Sequence, residues 1–217
     1  MSRLRLYSYW RSSASHRVRI ALQLKGLDYE YVAVHLATDG GQQYSAAYRA
    51  LNPQSRVPAL ETADGVLTQS MAIMEWLEET YPDPRLLPAT AAERARVRAM
   101  AQIMVADVQP LQNVSVTNYL HEQLHLDEAA IEAWRRAWVG RGLAALEEML
   151  ERSAPGEFCV GTHPTLADAC LLPQCASAHR FGVDMSAYPR IARIEIACNA
   201  IGAFQRAAPA QQPDAVR

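Results

Sequence analysis

Up to about residue 82 the sequence alternates strand-like and helix-like stretches, and beyond that point almost every stretch repeats its apolar residues at helical spacing, so two architectures must share one chain. LRLYSY, residues 4–9, alternates apolar and polar positions as a half-buried strand does. Residues 15 to 24 follow with Val18, Ala21 and Leu22 on one helical face and Gly26 as the stop. YEYVAV is a second strand, VPALET and VLT flank the hairpin signal Asp64-Gly65, and a helix is predicted from Ser70 to Thr80. The prolines of YPDPRLLP end that helix and mark a linker. Helices are predicted beyond it over residues 91–124, 128–151, 165–179 and 190–206. The expected division is a small α/β domain over residues 1–82 and an all-helical domain over 90–217, whose last residues, APAQQPDAVR, read as a poorly ordered tail.

Composition narrows the function classes. Half of the 217 residues are hydrophobic, which argues for well-buried cores and against disorder. A formal charge of −2 offers no broad positive field for nucleic acid, so anions must be recognised by a few local arginines. No apolar run is long enough to span a bilayer, and MSRLRLYSYW lacks the apolar core and cleavage site of a secretory signal. The expectation is a cytoplasmic protein with no membrane partner. Cys159, Cys170, Cys175 and Cys198 form no CxxC and no His-Cys metal spacing, and they read as small buried residues. His121 and His125 stand four apart without a third ligand at suitable spacing, so no metal is expected. Thr165 to Asp168, TLAD, has the spacing of a capping box, and Trp76, Trp134 and Trp138 read as packing residues.

The order β-α-β and then β-β-α is the outline of a thioredoxin-like domain. In that fold the end of the first strand leads into the start of the first helix, where leading N–H groups and the helix dipole favour an anion. RSSASHRVRIAL places Ser12, Ser13 and Ser15 at that entry. Redox members carry a CxxC there; this chain has none, so any reacting thiol must arrive with a ligand. In RVPAL, Pro58 enters a strand, and the corresponding X-Pro bond of this fold is commonly cis, which leaves the Val57 main chain available to a bound peptide. Ser70 is expected to cap the helix that follows, at a second start able to hold a carboxylate, with the Gln69 amide beside it. Each feature taken singly is also what capping and turns require. Together, one helix start for a thiolate, another for a carboxylate and an edge between them match the layout of glutathione.

The segments SSASHRVRIAL, DGGQQY, ALNPQSRVPAL, QSMAIMEWLEE, QPLQNVSV, TLADACLLPQ and FGVDMSAYP, in this order, resemble those of the glutathione transferases, and within them the zeta class, over nearly the whole chain. The resemblance implies an α/β thioredoxin-like N-terminal domain followed by an all-α C-terminal domain, with glutathione as cofactor, and a homodimer. It also implies cis–trans isomerisation of a maleyl keto acid, a small dicarboxylate, to its fumaryl isomer. By resemblance Ser12 donates to the glutathione sulfur, and Ser13, Ser15, His16 and Arg17 build the surrounding loop and helix start. Gln43, Val57, Pro58, Gln69 and Ser70 hold the tripeptide, while Gln109, Asn113, Val114 and Ser115 match family positions that reach the site from the helical domain.

Ala14 stands where many zeta members have cysteine. Lowering a thiol from about 8.5 by about two units needs only about 2.7 kcal/mol of thiolate stabilisation, within reach of a hydroxyl donor and a helix start. Tyr7 and Tyr9 stay open as alternatives, since other classes activate sulfur with a tyrosine near the first strand. A dicarboxylate needs cations of fork geometry; Arg11, next to Ser12, and Arg180, in AHRFGVD, are the expected pair, with Arg17 and Arg19 assigned to interdomain salt links instead. Two other functions use the same residues: a transferase that conjugates or dehalogenates small electrophiles such as haloacids, and a non-catalytic glutathione-binding module.

Overall fold

β1 (Leu4–Ser8) runs into α1 (Ser13–Leu24), and β2 (Tyr29–Ala33) returns parallel to β1. β3 (Ala59–Thr62) and β4 (Gly65–Thr68) add antiparallel, giving a four-stranded sheet in the order β2-β1-β3-β4. The coordinates are a computed structural model that describes residues 4–154 and 156–216, with Asp39 described by its backbone. Leu6 of β1, Ile20 and Leu22 of α1, and Ile73, Met74 and Leu77 of α3 (Ser70–Thr80) are all fully buried, as the helical and alternating patterns require. Gly26 at φ 64 ends α1, with its N–H on the Gln23 carbonyl and the Leu27 N–H on that of Leu22, the paired bonds of a Schellman motif. A short helix, α2 (Ala46–Leu51), precedes β3. The hairpin differs from expectation by one residue. Thr62 pairs with Gly65, so the loop is Ala63-Asp64, and Gly65 opens β4 at φ 122, a value that suits glycine.

A buried ion pair ties α1 to the end of α3. The Lys25 ammonium lies 2.8 Å from Glu78 and also donates to the carbonyls of Tyr81 and Pro84, at the start of the proline-punctuated stretch. All three ammonium hydrogens therefore have acceptors, the condition under which a buried charge is tolerated.

The second unit is helical: α4 (Ala91–Gln102), a π-helical turn (Ile103–Val108), α5 (Gln109–Gln112), α6 (Val114–Glu122), α7 (Glu128–Glu151), α8 (Leu166–Arg180) and α9 (Pro189–Asn199). The single helix expected over 91–124 is thus broken. Pro110 has no N–H to donate back along the helix, and the π turn lies directly upstream. Asn113 then leaves the helix at ψ 163, and its side chain accepts the Val116 N–H to cap α6. The TLAD capping box forms: Asp168 accepts from the Thr165 N–H and hydroxyl, each at 2.8 Å, and from the Cys159 N–H at 2.8 Å. α9 has no side-chain cap of its own; Glu147 of α7 accepts the Arg190 and Ile191 N–H groups in its place.

The stretch 190–206 is also interrupted, after α9, and α10 (Gly202–Ala207) packs on α1. Contacts divide the chain into one unit holding the residues up to Arg85 together with those from Ile201 onward, and a second unit of Leu86–Ala200. Residues 201–217 therefore do not belong with the helical domain, as the expected 90–217 boundary had them. Nor do residues 208–216 form a loose tail. Pro209–Gln211 form a 3-10 turn, Gln212 is buried and donates to the Arg206 and Ala208 carbonyls, and Asp214 accepts from Trp10 and Tyr31. All four cysteines are buried, and none forms a disulfide among the described residues. Among the described residues no helix is long and apolar enough to cross a membrane.

Candidate active site

The turn joining β1 to α1 closes when the Ser12 N–H bonds the Tyr9 carbonyl at 3.0 Å. Ser12 is the N-cap of α1, its Oγ accepting the Ser15 N–H at 3.2 Å. That bond uses a lone pair and leaves the hydroxyl proton to be donated elsewhere from a partly exposed position. No acidic side chain lies in the first turn of α1 or of α3, so neither helix start is already matched by a carboxylate of its own turn.

The capping expected of Ser70 is not found. Gln69 adopts φ 67 and is the N-cap of α3, with no side-chain cap bond, and Ser70 is the first helical residue. The Ser70 Oγ instead accepts from Arg17 at 3.2 Å, so a side chain from the second turn of α1 reaches the start of α3. The Gln69 amide is held by the Gln54 Oε1 at 2.7 Å.

The Val57-Pro58 bond is cis, as expected. The ladder of β3 begins at Ala59 on both sides, so the main chain of Val57 lies beyond it while its side chain packs with Tyr7, Tyr9, Val34 and Tyr48. The Tyr48 hydroxyl and the Asn52 amide both donate to the Arg56 carbonyl, fixing the peptide before Val57.

Ser15, His16 and Arg17 are buried, so they shape this place from beneath. Burial, with the Arg19 and Arg17 charges, holds His16 well below the usual histidine range, and its imidazole is neutral. Gln43 is also buried; its Nε2 donates to the Leu36 carbonyl and its side chain lies over Gly41, so it braces its own loop. Tyr7 donates to Glu61 at 2.9 Å, and burial followed by that carboxylate raises its pKa, which disfavours a role in stabilising thiolate. Tyr9 packs edge-on against Trp10 and His35.

Arg19, expected in an interdomain salt link, is fully buried and donates instead to the Ser8 hydroxyl and to the carbonyls of Tyr9, Trp10 and Ala207, all within the first unit. Burial lowers its pKa to about 10, which still leaves it cationic at neutral pH. Arg19, Gln54 and Asp214 are the positions that sequence reasoning missed as parts of the site's frame. For Arg19 a signal existed: an arginine between Val18 and Ile20 on an apolar helix must find acceptors indoors.

In the second unit Gln109 opens α5, Asn113 stands at the break, and Val114 and Ser115 begin α6 exposed, with the Ser115 hydroxyl on the Asn113 Oδ1 at 2.7 Å. The four positions thus gather at one helix interruption. Arg180 is the exposed last residue of α8, its guanidinium 4.5 Å from the Phe181 ring centre, and Arg11 is exposed beside Trp10. His125 lies outside α6, so the pair with His121 has no helical i,i+4 geometry, and no cluster fit to hold a metal occurs among the described residues.

Residues 2–79 match the family model of the glutathione S-transferase N-terminal domain and residues 128–194 that of its C-terminal domain. The chain belongs to the glutathione S-transferase family. Maleylpyruvate isomerase of a Ralstonia species is 50% identical over 97% of this chain and 99% of its own. A solved holo structure of maleyl pyruvate isomerase, described as a bacterial glutathione S-transferase of the zeta class, superposes with a TM-score of 0.95 at 50% identity, covering 98% of this chain and 100% of that one. Maleylacetoacetate isomerase from Anaeromyxobacter dehalogenans, solved with GSH bound in its active site, gives 0.88 at 49% identity over 99% and 98% of the two chains. Within the family, the chain falls in the zeta class.

The donor set of the first unit fits glutathione. A hydroxyl with its proton to give stands at one helix start, a second start carries no acid of its own, and main chain beyond the ladder lies at Val57. The Arg17–Ser70 bond ties the start of α3 to the second turn of α1.

Proposed function

We propose that the protein is a glutathione-dependent cis–trans isomerase that converts a maleyl keto acid, maleylacetoacetate or maleylpyruvate, to its fumaryl isomer. The observation that carries this reading is the Ser12 hydroxyl capping the start of α1, with the start of α3 bonded to the second turn of α1 through Ser70 and Arg17. When bound, glutathione supplies a deprotonated sulfur that adds reversibly to the conjugated alkene and so lets a single bond rotate. Ser12 donates its hydroxyl proton as a hydrogen bond to that sulfur and keeps it anionic, with the α1 dipole adding to the effect. Ser13 and the main chain at the start of α1 complete this cradle. Ser70 and Gln69 at the start of α3 hold a carboxylate, and Val57 pairs its main chain with the peptide.

Arg11, in the turn before α1, and Arg180, the last residue of α8, pair with the substrate carboxylates; both are exposed, and the planar fork of an arginine matches the geometry of a carboxylate. Gln109, Asn113, Val114 and Ser115 offer amide, hydroxyl and apolar contacts for the remainder of the substrate. Ala14 leaves the mechanism without a cysteine in the motif, and nothing in these steps needs one. The protein works as a homodimer in the cytoplasm.

The test is a steady-state assay of both maleyl substrates, with and without glutathione, on the protein and on Ser12→Ala. Turnover that requires glutathione and falls in the variant is expected. Turnover undiminished without glutathione overturns the proposal, and strong turnover of haloacids with little of either maleyl acid moves it to a dehalogenating transferase.

A further inference from the structure

We propose that Asp214, near the C-terminus, is a positioning residue for the Ser12 hydroxyl, acting through the main chain of Trp10. Its two carboxylate oxygens are divided between two donors: Oδ2 accepts the Trp10 N–H at 3.0 Å and Oδ1 the Tyr31 hydroxyl at 2.7 Å. The carbonyl of Trp10 accepts from Arg19 at 3.0 Å, and that of Tyr9 accepts from Arg19 at 3.3 Å and from the Ser12 N–H at 3.0 Å. Trp10 is therefore gripped at its N–H by the C-terminal segment and at its carbonyl by a buried cation. Arg19 is itself bonded to that segment through the Ala207 carbonyl at 3.0 Å.

The Tyr9–Trp10 peptide, its N–H on Asp214 and its carbonyl on Arg19 and the Ser12 N–H, is held on both sides and has little freedom to rotate, and the turn it belongs to ends in Ser12. The bond from Trp10 goes to a carboxylate, and such charge-assisted bonds are roughly twice as strong as neutral ones. Displacements of about 1 Å at a reacting group cost up to about a hundredfold in rate. Residues that local patterning marks as a tail thus set the aim of the hydroxyl that faces the sulfur. This inference rests on the reading of Ser12 as the donor to glutathione sulfur.

The experiment titrates the thiol of enzyme-bound glutathione by its thiolate absorbance in the wild type, Asp214→Asn, Tyr31→Phe, Ser12→Ala and the double variant Asp214→Asn/Ser12→Ala, with kcat, KM for glutathione and Tm measured alongside. Asp214→Asn is expected to raise the apparent pKa of the bound thiol by about one unit and to lower kcat at neutral pH by about tenfold. KM for glutathione should change by less than about threefold, since the tripeptide is held elsewhere. Tyr31→Phe, which removes one donor and leaves the carboxylate, should shift the titration the same way by a smaller amount, and it carries the test if Asp214→Asn does not fold.

In the Ser12→Ala background Asp214→Asn should add no further shift. An unmoved titration in Asp214→Asn, with or without a lower Tm, overturns the proposal; so does an equal shift whether or not Ser12 is present. Failure of the Ser12 reading is visible separately, as an unmoved titration in Ser12→Ala alone.

Discussion

One oxygen at Ser12 serves both the fold and the proposed chemistry, because capping takes a lone pair of its hydroxyl while sulfur needs its proton. Ser12→Ala removes both, and the two losses can be read apart. The cap accounts for about 1 kcal/mol of stability. Loss of the donor is expected to cost at least about tenfold in turnover, about 1.4 kcal/mol of barrier, measured at a temperature well below the Tm so that the folded fraction does not change. His16 makes a different prediction. Its folded pKa is depressed by burial and by Arg19 and Arg17, so below about pH 6.5 the unfolded chain takes up a proton that the native state refuses. Stability should be level above that pH and fall below it by up to about 1.4 kcal/mol per unit. Urea midpoints between pH 7.5 and 5 should show that slope, and His16→Gln should flatten it; parallel slopes would locate the acid sensitivity elsewhere. The helix start at Ser12 and the cis Val57-Pro58 step were legible in the sequence because they are local signals. The cap assigned to Ser70 belongs to Gln69, because a left-handed glutamine at that point leaves no mark in the pattern. The partners of Arg19 and Asp214 were not legible, since their bonds to Ala207 and Trp10 join residues 188 and 204 positions apart.

Elements were read well where a repeat was long and bounded by its own caps. β1, α1, α3 and α7 lie within a residue or two of their expected limits. The stretch 91–124 was read as one helix because its residues favour helix throughout, and propensity does not register the missing N–H at Pro110 or the cap at Asn113 until the chain is seen to turn. That interruption faces α7 closely. A Cβ on Gly142 would lie 2.1 Å from the Cγ2 of Val108, the last residue of the π turn. Alanine ordinarily favours a helix over glycine by about 1 kcal/mol. Here Val108 is β-branched and stiff about χ1, so the overlap, at about 1–3 kcal/mol, outweighs the gain. Gly142→Ala should therefore lower the urea midpoint. Gly140→Ala, two residues away on α7, meets only the Tyr188 hydroxyl at an ordinary 3.5 Å, and should raise stability by up to about 1 kcal/mol. If both variants shift the midpoint in the same direction, the close approach at Val108 does not govern this helix contact.

For the molecule as a whole, chain order and spatial order part company after Ala200. Residues from Ile201 onward complete the first unit, with Ala203, Phe204 and Ala207 buried, although the sequence up to that point is all helix of the second. A helical pattern states that an apolar stripe must be covered and is silent on which unit covers it, so the twofold division was legible and the return of the C-terminus was not. The consequence for energetics is that the first unit is closed by its own two ends, and a ligand bound to the helix starts of α1 and α3 stabilises a body that includes residues on both sides of the helical unit. At a concentration one hundred times its Kd, glutathione should add about 2.7 kcal/mol to the native state. For a chain of this length about 2–4 °C of Tm follow from each kcal/mol, so a rise of about 5–10 °C is expected in far-UV melts. Ser12→Ala should retain most of that rise, because its hydroxyl acts on the charge of the sulfur while the start of α3 and the main chain at Val57 hold the tripeptide. A wild-type melt that glutathione leaves unmoved would mean that these helix starts cap themselves and bind nothing. A rise abolished by Ser12→Ala alone would mean that the sulfur, and not the carboxylate and peptide groups, supplies the affinity.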